Sequence, residues 1–183
     1  MNTDAETLRA RLVDLEGQLA REHHLARHDP LTGALNRRGG LEAVRELAEP
    51  FALALVDLDH FRYVNHLPGG YATGDLVLCE TTELLASDAR IDDLIIRWGG
   101  EEFLLVLIGA DVDGAVIRLE RFLDEARRRI REGGVMVTFS AGVADAESAV
   151  GFEAAFAKAN RALEKAKADG RALILAARST RAA

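Results

Sequence analysis

Two places in the sequence set carboxylates directly against segments bound for a core. In FALALVDLDHF, an apolar run ends in Asp57 and Asp59. In IIRWGGEEFLLVLI, Glu101 and Glu102 follow Gly99 and Gly100 and lie between two apolar runs. If the second stretch is a hairpin beside the first strand, Asp57 and Glu101 come together. Neighbouring like charges repel, so one carboxylate stays protonated unless a cation lies between them. Hard oxygen donors at a strand end suit Mg²⁺ or Mn²⁺, which keep positions open for substrate phosphates. Gly99 and Gly100, lacking side chains, would let a bulky ligand lie against the turn. Residue types alone leave a plainer alternative open: a solvated hairpin turn at GGEE and an Asx-capped strand end at DLD. DLDHFR lacks the glycine that an EF-hand loop requires.

Positioning these groups takes a series of elements. Residues 3 to about 27 read as one helix, with Leu8, Leu12, Leu15 and Leu19 at 4-3-4 spacing. That is a short coiled-coil seam, or else a helix packed on its own domain. Asn36 is expected to cap a helix running to about Ala48. A strand then ends at Asp57 and Asp59, and HFRYVNHL forms a short helix. The loop PGGYATGD leads to a helix from about Asp75 to Ser87. Strands at 93–98 and 103–108 are joined by the GGEE turn. Val116, Leu119, Leu123, Ala126 and Ile130 set a further helix, GVMVTFSAGVADA one strand, FEAAFAKANRALEKAKADG a helix stopped by Gly170, and RALILAA a last strand. This order is not βαβ alternation. It predicts an α+β fold with a largely antiparallel sheet flanked by helices.

Composition narrows the function. The 183 residues carry 23 Lys+Arg against 30 Asp+Glu, a net charge of −7. That is poorly suited to sequence-independent nucleic-acid binding, though compatible with one phosphorylated small molecule held by a metal and a few basic residues. Cys79 is the only cysteine, which rules out an internal disulfide and reads as a buried structural thiol. No apolar run approaches the ~20 residues of a membrane span, and the N-terminus lacks a signal-peptide core, so a soluble cytoplasmic protein is expected. His23, His24, His28, His60 and His66 have no metal-ligand spacing. The sequence has no P-loop, dinucleotide fingerprint, zincin motif or nucleophile elbow.

RWGGEEF resembles the signature of the diguanylate cyclase (GGDEF) family in its glutamate variant. HDPLTGALNRR, VDLDHFRYVN, GGYATGD, VTFSAGVA and AKADGR resemble other motifs of that family, in order, from about residue 28 to 175. The resemblance implies a nucleotidyl cyclase or polymerase-palm-like fold over 28–178, preceded by the helix at 1–27 and followed by a disordered tail at 179–183. It implies condensation of two GTP into cyclic di-GMP and two pyrophosphates across a homodimer, with two Mg²⁺ or Mn²⁺ per active site. Residue by residue, Asp57, Glu101 and Glu102 match the metal-binding and catalytic carboxylates, with the backbone carbonyl of Leu58 as a further ligand. Asn65 and Asp75 match guanine readers; they could instead cap helices, Asn65 at a C-terminus and Asp75 at an N-terminus. Phe61, Tyr71, Gly99 and Gly100 fall in the substrate-binding motifs, and Arg62, Lys167 and Arg171 match phosphate-holding positions. Lys167 and Arg171 also suit a helix C-terminus.

Arg90 and Asp93, with Arg121, match the family's inhibitory product site; the plainer alternative is an exposed salt bridge at a strand start. This sequence departs from the family at Tyr71, usually histidine, at Arg62, usually lysine, and around Pro68, where the loop is one residue longer. Asn160, Glu164 and Ala172 replace a common aspartate, tyrosine and asparagine. Two other functions remain in view: a non-enzymatic receptor for cyclic di-GMP or GTP, and a dimerisation module working through its N-terminal helix. With no sensor domain read in the sequence, input is expected through an unidentified partner, the dimer equilibrium or product inhibition.

Overall fold

The computed structural model describes residues 3–132 and 135–177. In chain order the elements are α1 (Thr3–Arg27), β1 (Leu35–Asn36), α2 (Arg37–Arg45), β2 (Phe51–Leu58), α3 (Phe61–Val64), α4 (Tyr71–Ala86), β3 (Leu94–Arg97), β4 (Glu102–Ile108), α5 (Val112–Arg129), β5 (Arg131–Glu132), β6 (Val135–Met136), β7 (Phe139–Ala146), a 3-10 turn (Ala149–Gly151), α6 (Phe152–Ala168) and β8 (Ile174–Ala176). The expected tail at 179–183 lies outside the described residues.

Six strands form one sheet in the order β1-β3-β4-β2-β7-β8. The four inner strands, β3, β4, β2 and β7, are antiparallel to one another, and the two edge pairs, β1 with β3 and β7 with β8, are parallel. This is the largely antiparallel α+β sheet that the sequence predicts. Every residue of β2 is buried, because helices cover both faces. Period-two alternation divides the strand: Ala52, Ala54, Val56 and Leu58 join the core shared with α4 and α5. Phe51, Leu53 and Leu55 join the core shared with α2 and α6. Asp57 continues the odd-numbered series, so it emerges on the α6 side at the tip of the strand. Gly142 in β7 makes close docking of α6 possible, since a Cβ there would lie 1.9 Å from the Ala159 carbonyl oxygen.

Several elements differ from expectation. The helix capped by Asn36 ends at Arg45 rather than near Ala48; its cap is as expected, the Asn36 side chain accepting from Gly39 N–H. Helix α4 begins at Tyr71, not Asp75. Gly69 and Gly70 supply the turn at φ of 103° and 61°, and the Thr73 hydroxyl donates back to the Pro68 carbonyl, so the helix is under way before Asp75. Asp75 is therefore not an N-cap. The strand expected over 134–146 is broken. β5 and β6 form a separate two-stranded ribbon, and Val137 and Thr138 separate it from β7. Cys79 is half-buried rather than buried, with Sγ 3.4 Å from the Leu31 carbonyl.

Helix α1 follows its predicted span. It meets the domain at its C-terminal end, where Asn36 Nδ2 donates to the Ala26 and His28 carbonyls and Arg27 lies 3.5 Å from Glu42. Leu12, Leu15 and Leu19 are 59%, 53% and 67% exposed, so this part of the seam does not pack on its own domain. Among the described residues, no helix is long and apolar enough to cross a membrane.

Candidate active site at the strand tip and acidic hairpin

The β2–β4 register sets Asp57 directly opposite Glu102. Directly opposed residues of an antiparallel pair share a face, so Glu102 joins Asp57 on the α6 side. The turn between β3 and β4 is closed by Trp98 N–H and Gly99 N–H, which both donate to the Glu102 carbonyl. It is stitched to β2 by Leu58 N–H, which donates to the Glu101 carbonyl at 3.2 Å. Gly99 has a specific role here: a Cβ would lie 2.6 Å from Glu102 Oε2. Gly100 faces open space. Arg97 braces the turn from behind, donating to the Gly100 carbonyl through Nη2 and to Asp29 through Nη1. Asp29 also accepts from the Thr32 backbone and hydroxyl. The HDPLT segment is thus mechanically joined to the acidic hairpin.

The electrostatics are those of crowded carboxylates. Burial raises the Asp57 carboxyl above its ordinary 3.8; Lys167 works against this, and Asp59 and Glu164 add to it. Burial likewise raises Glu101 above 4.5, helped by the Asp57 and Glu102 charges and opposed by Lys167. Lys167, in the last turn of α6, places Nζ 3.0 Å from Asp57 Oδ2 and 3.4 Å from Glu164 Oε1. Burial alone would lower its pKa, but the bond and charge of Asp57, with Glu164, raise it above 10.5. A site in which carboxylates raise one another's pKa favours added positive charge. Among the described residues, no three His, Cys, Asp or Glu side chains converge into a complete metal cage. The donor set nonetheless fits Mg²⁺, which takes one or two carboxylates and leaves its other positions to water and substrate phosphates.

Asn65 and Asp75 both lie at the α3–α4 corner. Asn65 is the C-cap of α3, and its Oδ1 lies against Gly74, where a Cβ would sit 2.0 Å away. Asp75 follows Gly74 and is exposed in α4. Phe61 is buried beneath this corner, with Cζ 3.1 Å from the same Cβ position. Tyr71, at the first turn of α4, is 80% exposed, and Arg62 is exposed on α3. Arg171 lies in the turn after α6 at φ 65°.

At Arg90, Asp93 and Arg121 the structure removes the plainer alternative of an exposed salt bridge. Asp93 is not in an exposed salt bridge with Arg90. Its side chain is almost wholly buried and accepts from the Arg90 backbone N–H, Ile108 N–H and Arg118 Nη2. Arg121 instead pairs with Asp88 at 2.9 Å. Arg90, Arg118 and Arg121 line a groove of about 580 Å³ together with Asp88. Sequence reasoning missed Arg118, although it lies one helical turn before Arg121 on α5 and could have been found by i, i+3 spacing.

An antiparallel sheet with helices on both faces, and carboxylates on its central strand tip and the adjoining hairpin, define the nucleotidyl cyclase class of fold. Residues 26–172 match the family described as diguanylate cyclase, GGDEF domain, and the chain belongs to that family. Diguanylate cyclase DgcM of Escherichia coli K12 is 38% identical over 171 residues, which cover 89% of this chain and 40% of that protein. The chain thus spans well under half of that relative. Diguanylate cyclase SiaD of Pseudomonas aeruginosa, solved with its activator SiaC, is 35% identical, with a TM-score of 0.74 over 94% of this chain and 74% of that one. The coiled coil and GGDEF domain of Caulobacter crescentus DgcB, solved with c-di-GMP, matches in fold at a TM-score of 0.84 and 24% identity, over 96% of this chain and all of the other.

Proposed function

We propose that this chain is a diguanylate cyclase that condenses two GTP into cyclic di-GMP and releases two pyrophosphates. The observation that carries the reading is the β2–β4 pairing: it sets Asp57 opposite Glu102 and beside the Glu101 turn, with Lys167 Nζ 3.0 Å from Asp57. Two Mg²⁺ or Mn²⁺ would be held by Asp57, Glu101, Glu102 and the Leu58 carbonyl, and would supply charge neutralisation and a lowered pKa for the attacking hydroxyl. Asp75 accepts from guanine N1–H and N2–H as a pair, a pattern adenine lacks, and Asn65 offers a donor and an acceptor beside it. Phe61 supports that corner from below and Tyr71 flanks it. Lys167, Arg171 and Arg62 hold the phosphates. Glu101 takes the proton from the 3′-hydroxyl as O3′ bonds to the α-phosphorus and the bond to pyrophosphate breaks.

Each domain holds one GTP, so the reaction needs a second copy of the chain facing the first. The exposed Leu12, Leu15 and Leu19 of α1 support a homodimer paired through that helix. The groove at Arg90, Arg118 and Arg121 suits the phosphodiester of a cyclic dinucleotide and is assigned to product inhibition. Asp93 serves there by orienting Arg118. Because SiaD was solved with an activator, a separate activating partner is also proposed for this chain. Incubation with GTP and Mg²⁺, followed by nucleotide analysis, tests the reading. Cyclic di-GMP formed by wild type and lost in a folded Glu101→Gln variant is expected. No cyclic dinucleotide from a confirmed dimer, or full activity in Glu101→Gln, would reject it.

A further inference from the structure

The reaction above leaves Asp59 without a task, yet Asp59 is among the most fully satisfied carboxylates of the fold. It is 5% exposed. Its Oδ1 accepts from the Ser140 hydroxyl at 2.7 Å, and its Oδ2 from the Thr138 hydroxyl at 2.8 Å and the Ala172 backbone N–H at 2.9 Å. Ala172 belongs to the turn between α6 and β8. There Gly170, Arg171 and Ala172 run consecutively at φ of 123°, 65° and 47°. Arg171 and Ala172 thus hold a conformation that residues with a Cβ rarely adopt. Such a turn persists only where its surroundings over-determine it. Arg171 N–H donates to the Ala166 carbonyl, Arg127 donates to the Ala172 carbonyl, and Ala141 N–H donates to the Leu173 carbonyl. The bond from Ala172 N–H to Asp59 ties the turn to the tip of β2, the strand that carries Asp57.

The tip of β2 therefore reaches the end of α6 twice. Asp57 meets Lys167 through a flexible side chain, which is free to exchange partners. Asp59 meets a backbone N–H, which no rotamer change can re-aim. We propose that Asp59 is a positioning residue: it locks the α6–β8 turn to the strand tip and so fixes where Lys167 and Arg171 meet the triphosphate above Asp57. This rests on the reading of Lys167 and Arg171 as the phosphate grip.

The test compares KM and kcat for GTP in the full chain, together with hydrogen exchange at the Ala172 amide. Asp59→Ala removes the acceptor and should raise KM about tenfold, with kcat within about threefold, as for loss of a charge-assisted hydrogen bond that orders a binding loop. The Ala172 amide should lose protection in the same variant. Asp59→Asn keeps an acceptor for Ala172 N–H, while its NH₂ donates to the Ser140 oxygen. KM within about twofold of wild type and a protected Ala172 amide are expected there. In an Arg171→Ala background, Asp59→Ala should raise KM by less than it does in wild type, because part of the grip that it positions is already gone. If Asp59→Ala does not fold, Asp59→Glu, which moves the carboxylate by one methylene, takes its place with the same expected rise. Unchanged KM in the folded variant, effects that multiply fully with Arg171→Ala, or Asp59→Asn as damaged as Asp59→Ala would each overturn the proposal. If Lys167→Ala and Arg171→Ala themselves leave KM untouched, the phosphate assignment has failed. If they raise KM and Asp59→Ala does not, the proposal alone has failed.

Discussion

Gly74→Ala separates nucleotide recognition from folding at one atom. Gly74 sits in the first turn of α4, and a Cβ there would lie 2.0 Å from Asn65 Oδ1, with Asn65 Cγ and Phe61 Cζ both at 3.1 Å. Real Cβ contacts do not fall below 3.0 Å. The Asn65 amide must therefore retreat by about 1 Å or swing to another rotamer; it is the tip of a half-buried side chain and can give way, whereas buried Phe61 at 3.1 Å need shift only by tenths of an ångström. Helix propensity favours alanine over glycine by up to about 1 kcal/mol, so the fold itself should not suffer. Recognition should. A misplaced amide forfeits a neutral hydrogen bond worth about 0.5–1.5 kcal/mol, which is about a 2- to 12-fold rise in KM for GTP. The assay is steady-state turnover with a parallel thermal melt. The expected pattern is a raised KM, a Tm equal to or above wild type, and no further loss when Gly74→Ala is added to Asn65→Ala. Unchanged KM, or an equal loss in the Asn65→Ala background, would refute the placement of Asn65 at the base.

Other outcomes follow from the same geometry. Ala172→Gly should stabilise the fold by about 1 kcal/mol, or about 2–4 °C in Tm, because glycine occupies φ 47° without the Cβ penalty; a lower Tm would contradict this. Burial raises the Glu101 carboxyl above its ordinary 4.5, so its protonated form is favoured by the fold. Its contribution is complete below pH 4.5 and is lost as pH rises through the folded value. Glu101→Gln should consequently melt higher than wild type at pH 7 in chelator, and the gap should close below pH 4.5. A gap independent of pH would show that the carboxylate is not destabilised by its surroundings. Specific activity should rise with protein concentration, and Leu12→Glu with Leu19→Glu should move the half-maximal concentration upward by more than about tenfold. Activity indifferent to both would remove α1 from the dimer.

Much of this fold is legible in the sequence where patterns are long. The unbroken apolar run of β2 signals a strand covered on both faces, and that coverage is what leaves Asp57 at a buried tip beside α6. The 3-4 spacing of α5 and the glycine pair before Glu101 are equally direct signals. What is not legible is short or distant. β1 and β5 have two residues each and show no periodicity. The start of α4 turns on positive φ at Gly69 and Gly70, which permits a helix four residues earlier than Asp75 suggests. Asp93 resembles a surface ligand until Arg118, 25 residues later, is folded against it. Asp59 reads as a companion to Asp57, and only the return of Ala172, 113 residues on, gives it a different function.

The central claim is that Asp57 and the carboxylates of the hairpin jointly hold a divalent ion that grips a nucleotide triphosphate. Electron paramagnetic resonance of Mn²⁺ titrated into the protein with a non-hydrolysable GTP analogue measures this directly. Wild type should bind Mn²⁺ more tightly with the analogue than without it, and both Asp57→Asn and Glu101→Gln should lose that tight binding while remaining folded. Equal Mn²⁺ binding by wild type and both variants would contradict the account.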